Sequence, residues 1–85
     1  MADLDDRFAE AASQVKQLPG KPDNADLLRL YALYKQASGG DVTGERPGVM
    51  DFVGRAKYHA WEDLHGISQE DAMQSYVDLV KSLQG

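Results

Sequence analysis

Tyr31 and Lys35 stand four residues apart in the run Tyr31-Ala32-Leu33-Tyr34-Lys35-Gln36-Ala37. On a helix that spacing puts a phenol hydroxyl and an ammonium on one side, one turn from each other. A phosphate suits both, since it carries about 1.5 to 2 negative charges at neutral pH and three strong acceptor oxygens. The run leads through Ser38-Gly39-Gly40 into a connection closed by Arg46-Pro47-Gly48, so the order reads as a helix presenting an anion site beside a glycine-rich loop. Lys57 is the second lysine of interest. On a helical wheel it falls among Val53, Ala56, Ala60, Trp61 and Leu64, inside an apolar arc. An unpaired ammonium is costly to bury, and a lysine so placed commonly lays its methylene stem on apolar surface with its charge in water. An anion shared with Tyr31 and Lys35 accounts for all three positions at once.

The elements that must position these groups are helical. Glycines and prolines cut the chain into four segments, none alternating with a period of two. The first runs from about Asp5 to Leu18, with Leu4, Phe8, Ala12 and Val15 at three- and four-residue steps, and Pro19-Gly20 ends it. Asp23 and Asn24 supply caps for the second, about Asn24 to Ser38. There Leu27, Leu30, Tyr31, Leu33, Tyr34 and Ala37 share a broad arc, Leu28 and Lys35 lie at its edge, and Arg29 and Gln36 face away. The third, about Phe52 to Leu64, closes at Gly66. The fourth opens on Ser68-Gln69-Glu70-Asp71, a serine cap with acids in the first turn, and gathers Met73, Tyr76, Val77, Val80 and Leu83 on one face. An all-α domain follows. The short links favour antiparallel pairing of helix 1 with 2 and of 3 with 4, whereas the long link before Asp51 permits parallel helices 2 and 3 and, at that length, serves a function or spans a distance.

At 85 residues the chain is expected to form a single domain, 1–85, because two cores of half that size would each be marginal. A hydrophobic share of 42% and a charged share of 27% are those of a globular protein, neither disordered nor membrane-spanning. The acidic start, Met1-Ala2-Asp3-Leu4-Asp5-Asp6, is unlike a secretory signal, so a cytoplasmic location is expected. Without cysteine there are no disulfides, thiolates or cysteine metal ligands, and packing alone must hold the fold. A net charge of -5 with only nine Lys and Arg excludes nonspecific nucleic-acid binding. Any anionic ligand must find a local positive pocket.

The stretch Tyr31-x-x-Tyr34-Lys35-Gln36-Ala37, followed by Glu45-Arg46-Pro47-Gly48, resembles the signature of the acyl-CoA-binding protein family. The likeness continues through Asp51-Phe52, Ala56-Lys57, Ala60-Trp61 and Glu70-Asp71-Ala72-Met73, and covers nearly the whole chain. It implies an all-α, four-helix up-down-down-up bundle and a non-enzymatic monomer that carries fatty acyl-CoA one to one, uses no cofactor and delivers cargo to membranes and acyl-CoA-using enzymes. It further implies that Tyr31, Lys35 and Lys57 hold the 3'-phosphate of the CoA ribose, that Lys16 and Tyr76 lie near the nucleotide, and that Leu27, Leu28 and Ala56 line the acyl groove. Read from the residues alone, Lys16 is equally an ordinary surface lysine, Tyr34 either core or an adenine-site wall, and the groove residues equally core packing. Phe8, Leu30, Leu33, Trp61, Val77 and Leu83 read as core.

Two positions depart from the family pattern. Val53 stands where many members have a ligand-associated lysine, leaving that contact missing or supplied by Arg55, and Tyr58 stands where a tryptophan is usual. Other classes of function find weaker support. Glu62-x-x-His65 has the spacing used in di-iron bundles, but those need two such motifs and one exists here. No nucleophile elbow or phosphate-binding Gly-x-x-x-x-Gly-Lys loop occurs. The remaining alternative is a helical protein-interaction module with an aromatic docking face.

Overall fold

The computed structural model describes residues 3–85; Met1 and Ala2, at the head of the acidic amino-terminal stretch, lie outside the described residues. Four helices follow one another: α1 Leu4–Gln14, α2 Asn24–Gly39, α3 Phe52–Glu62 and α4 Gln69–Gln84, with no strand among the described residues. Each begins at a side chain that accepts an otherwise free backbone N–H. Asp3 accepts from Asp6 at 2.8 Å, Asp23 from Asp26 at 2.8 Å, Asp51 from Gly54 at 2.9 Å and Ser68 from Asp71 at 3.0 Å. At Gly54 the fit is close enough that a Cβ would meet the Asp51 carboxylate, so glycine lets this cap form.

Two helix ends fall short of the sequence expectation. The first α-helix stops at Gln14 and tightens into a 3-10 turn, Val15–Gln17, instead of reaching Leu18. Leu18 precedes Pro19 and takes an extended conformation, φ -61° and ψ 142°, because the proline ring crowds the helical alternative. Helix α3 stops at Glu62 rather than Leu64: the Leu64 and His65 amides donate three residues back, to Trp61 and Glu62, each at 3.0 Å. Gly66, at φ +89°, then turns the chain toward α4 through a conformation that side chains other than glycine's disfavour.

Helix α4 packs against α1 and α2, and α2 also packs against α3. The close pairs are therefore not the sequence neighbours α1/α2 and α3/α4 that short links suggested; α4 instead lies between the other two core helices and gathers their apolar faces. The core contains Ala11, Leu30, Leu33, Ala37, Ala72 and Val80, with Phe8, Ala12, Val15 and Leu83 against its edge. The principal extents are 44 × 28 × 15 Å. The smallest of these accommodates two helices in contact and leaves no third layer. Helix α3, packed on α2, consequently has no buried residue among those described, and Phe52 and Val53 on it stay 73% and 67% exposed.

A polar junction ties the ends of α2, α3 and α4 together. Gln36, expected to face water, is fully buried. Its Nε2 donates to Asp41 Oδ1 at 2.9 Å and to the Ile67 carbonyl at 2.7 Å. Asp41 Oδ1 also accepts from the Gly66 N–H at 2.8 Å, and Gln69 Nε2 reaches the Ala37 carbonyl at 3.1 Å. The connections after α2 and α3 fold over the carboxyl end of α2 and bring backbone partners to a side chain that a wheel places outside the apolar arc.

Candidate functional site

Helices α2 and α3 meet along a seam built from two interleaved cation-aromatic pairs. Lys57 Nζ of α3 lies 5.2 Å from the ring centre of Tyr31 on α2, and Lys35 Nζ of α2 lies 5.0 Å from the ring centre of Trp61 on α3. Tyr31 and Lys35 are one turn apart on their helix, as are Lys57 and Trp61 on theirs, so the two ammonium groups follow each other along one seam. The structure thus brings together the three residues expected to share an anion. Among the described residues neither lysine pairs with a carboxylate; the close ion pairs are Arg46 with Glu62, His59 with Glu62 and His65 with Asp41. In a chain of net charge -5, two cations resting on aromatic faces rather than on acids leave their charge available to a guest.

Lys57 is exposed, as expected of a lysine that lays its stem along an apolar arc and keeps its charge in water. Trp61, expected in the core, stands at the seam instead. Its indole N–H donates to the Gly40 carbonyl at 2.9 Å, fixing the ring beside Lys35. Its position four residues after Lys57 is the signal in the sequence that places it on the same side of α3 as that lysine.

Immediately beside the seam is a groove of about 390 Å³ lined by Leu27, Leu28, Ala56 and Lys57, with Phe52 and Val53 at its α3 side and Asn24 completing it. All three residues expected to line an apolar groove lie along it, Leu27 and Ala56 exposed and Leu28 half-buried. Asn24, Phe52 and Val53 were missed as lining. Lys57 belongs to both the groove and the cationic seam, which makes the two one continuous surface with a charged end and an apolar end. Arg55 lies about 200° around the helix from Val53 and does not line the groove.

Tyr34 and Tyr76 form a neighbouring cluster with Phe8. Phe8 stacks on Tyr34 with ring centres 5.4 Å apart and meets Tyr76 edge-on at 5.1 Å. Tyr34 is 44% exposed, three residues from Tyr31, and keeps ring surface open to water. Tyr76 is 4% exposed. Its burial, with Tyr34 adding, pushes the hydroxyl above its ordinary pKa, so it stays a neutral phenol at physiological pH. Lys16 is exposed in the 3-10 turn after α1, where no ion pair or hydrogen bond of its side chain ties it to the seam among the described residues.

A cationic seam running into an apolar groove suits an amphiphile with a phosphorylated head, and comparison with known proteins points the same way. The family described as Acyl CoA binding protein matches residues 5–80. The acyl-CoA-binding protein of Saccharomyces cerevisiae is 51% identical over 76 residues, covering 89% of this chain and 87% of that protein. An acyl-CoA-binding protein homolog of Manduca sexta is 48% identical over 81 residues, covering 94% and 90%. The crystal structure of Oryza sativa acyl-CoA-binding protein 2 superposes with a TM-score of 0.91 at 44% identity, over 95% of this chain and 90% of that one. Similarity of this extent in both sequence and helix arrangement means that the chain belongs to the acyl-CoA-binding protein family and has its four-helix bundle fold.

Proposed function

We propose that this protein is a carrier of medium- to long-chain fatty acyl-CoA thioesters, binding one per molecule through two sites that act together. Acyl-CoA binding goes with the family; the assignment of residues is ours. The 3'-phosphate of the CoA ribose sits between Lys35 and Lys57 with the Tyr31 hydroxyl as a further partner. Tyr34 walls the adenine side with the buried Tyr76 packed edge-on behind it, and Lys16 reaches in from the turn after α1. The acyl chain lies in the groove against Leu27, Leu28 and Ala56. The observation that carries this is the pair of carboxylate-free ammonium groups on the seam, continuous through Lys57 with an apolar groove.

Binding here requires no bond to be made or broken. Charge-assisted hydrogen bonds hold the head, about 1.5 to 3 kcal/mol each, and each methylene moved out of water adds about 0.8 kcal/mol. Such a molecule keeps its cargo apart from hydrolysis and hands it on intact, which gives an intracellular pool former rather than an enzyme. It works as a monomer and a single domain, in the cytoplasm, touching membranes and acyl-CoA-using enzymes only transiently. Among the described residues no helix is long and apolar enough to cross a membrane. Isothermal titration with palmitoyl-CoA, free CoA and palmitate tests the reading: tight 1:1 binding of the thioester and much weaker binding of each fragment is the expected result. Equal affinity for palmitate and palmitoyl-CoA would refute it.

A further inference from the structure

Behind the groove lies a second apolar cavity, of about 340 Å³, whose walls include Ala32, Leu33, Ala60, Leu64 and Ile67. It shares one residue with the groove, Leu28. On the α2 wheel Leu28 is a crest, with Asn24 and Leu27 of the groove on one side and Arg29 and Ala32 of the rear cavity on the other. Resting on the carrier reading above, we propose that the rear cavity receives the terminal carbons of long acyl chains, which pass Leu28 once the groove is filled, and so sets the chain-length preference.

Three observations support that occupant. The cavity adjoins the groove across a half-buried leucine that lines both, and its side chain can change between staggered rotamers to open a way between them. Its interior is apolar, while the exposed Arg29, Asp63 and Ser75 stand at its solvent margin, so a hydrocarbon tail arriving from the seam side meets only apolar wall. Ile67 is 38% exposed, an apolar surface that a guest in this cavity would cover. Every methylene transferred from water into it raises affinity about fourfold.

The test uses octanoyl-CoA, whose chain is half as long, beside palmitoyl-CoA, each titrated calorimetrically into the wild-type protein and into Ala60→Leu and Ser75→Leu. Both positions line the rear cavity and not the groove, and Ser75 is exposed, so its leucine variant keeps the fold even where Ala60→Leu does not. Circular dichroism verifies folding. The expected result is a loss of tenfold or more for palmitoyl-CoA with octanoyl-CoA unchanged within twofold, whereas Leu27→Ala, in the groove, weakens both. A folded Ser75→Leu protein that binds the two ligands as the wild type does, or loses both equally, overturns the rear-cavity role while leaving the carrier reading standing. Wild-type protein that binds neither thioester removes the carrier reading and this inference with it.

Discussion

Helices α3 and α4 both carry an apolar stripe, yet α4 buries five residues and α3 none among those described. The difference lies in their neighbours more than in their composition. Helix α4 packs mainly against α1 and α2, whereas the main neighbour of α3 is α2. A stripe pressed from two sides becomes core; a stripe pressed from one side becomes a wall with its other flank open. The apolar surface of α3 that folding leaves uncovered is the surface available to a lipid chain. Stability should therefore reside in α4 and its contacts, and binding in the α2/α3 seam.

The sharpest way to break this comparison is to truncate one side chain in each region. Leu30→Ala, in the core shared by α2 and α4, should cost about 2 to 5 kcal/mol of unfolding free energy. Phe52→Ala, largely exposed on α3, should stay within about 0.5 kcal/mol of wild type while weakening acyl-CoA binding. Urea denaturation of both variants measures the contrast, and equal destabilisation would mean that α3 is as much a part of the core as α4.

The converse experiment strikes the seam. Lys35→Ala and Lys57→Ala should each reduce affinity for palmitoyl-CoA at least tenfold, since a charge-assisted hydrogen bond contributes about 1.5 to 3 kcal/mol. Both variants should unfold at the wild-type urea midpoint, because neither lysine is buried. Titration and circular dichroism on the same samples decide it; a cooperative loss of helicity would show that the cation-aromatic pairs hold α3 in place.

What the sequence revealed divides along the same line. The four helices, their caps and the seam residues were legible because caps and helical periodicity are local, as at Ser68 and at Tyr31 and Lys35. Gln36 was not, since its partners are Asp41 and the Ile67 carbonyl, the latter 31 residues away, and no wheel registers a neighbour that arrives from another link. Trp61 reads as core from its segment, and its place at the seam follows from α2 being the main neighbour of α3, which is a property of the topology and not of the segment.

The polar junction supplies an intermediate effect. Gln36→Ala removes the amide that donates to Asp41 and Ile67, breaking two part-buried hydrogen bonds at a cost of about 1 to 3 kcal/mol. Asp41 adds a pH dependence. The Gly66 N–H, then the Gln36 amide, with His65 contributing, hold its carboxyl below the ordinary value of 3.8. A depressed carboxyl contributes stability that is present above the unfolded value and lost as pH falls through the folded one. The unfolding midpoint of wild type should accordingly decline as pH drops below 3.8, and Asp41→Asn should flatten that decline. Parallel acid titrations of wild type and variant would expose a junction that contributes nothing.

The smallest expected effect concerns Val53, at the position where the family resemblance leads one to expect a lysine. The side chain lines the groove and is 67% exposed, so Val53→Lys can lay its stem on the same apolar wall with the ammonium in water near the ligand head. An exposed charge pair contributes about 0.2 to 1 kcal/mol, so palmitoyl-CoA affinity should rise by no more than about fivefold. At high ionic strength the gain should vanish, because the screening length shrinks to about 3 Å in 1 M salt. An apolar effect would behave differently, persisting in salt and growing with chain length. Titrating wild type and Val53→Lys at low and high salt thus separates two ways of tuning one groove: a valine that favours the chain and a lysine that favours the head.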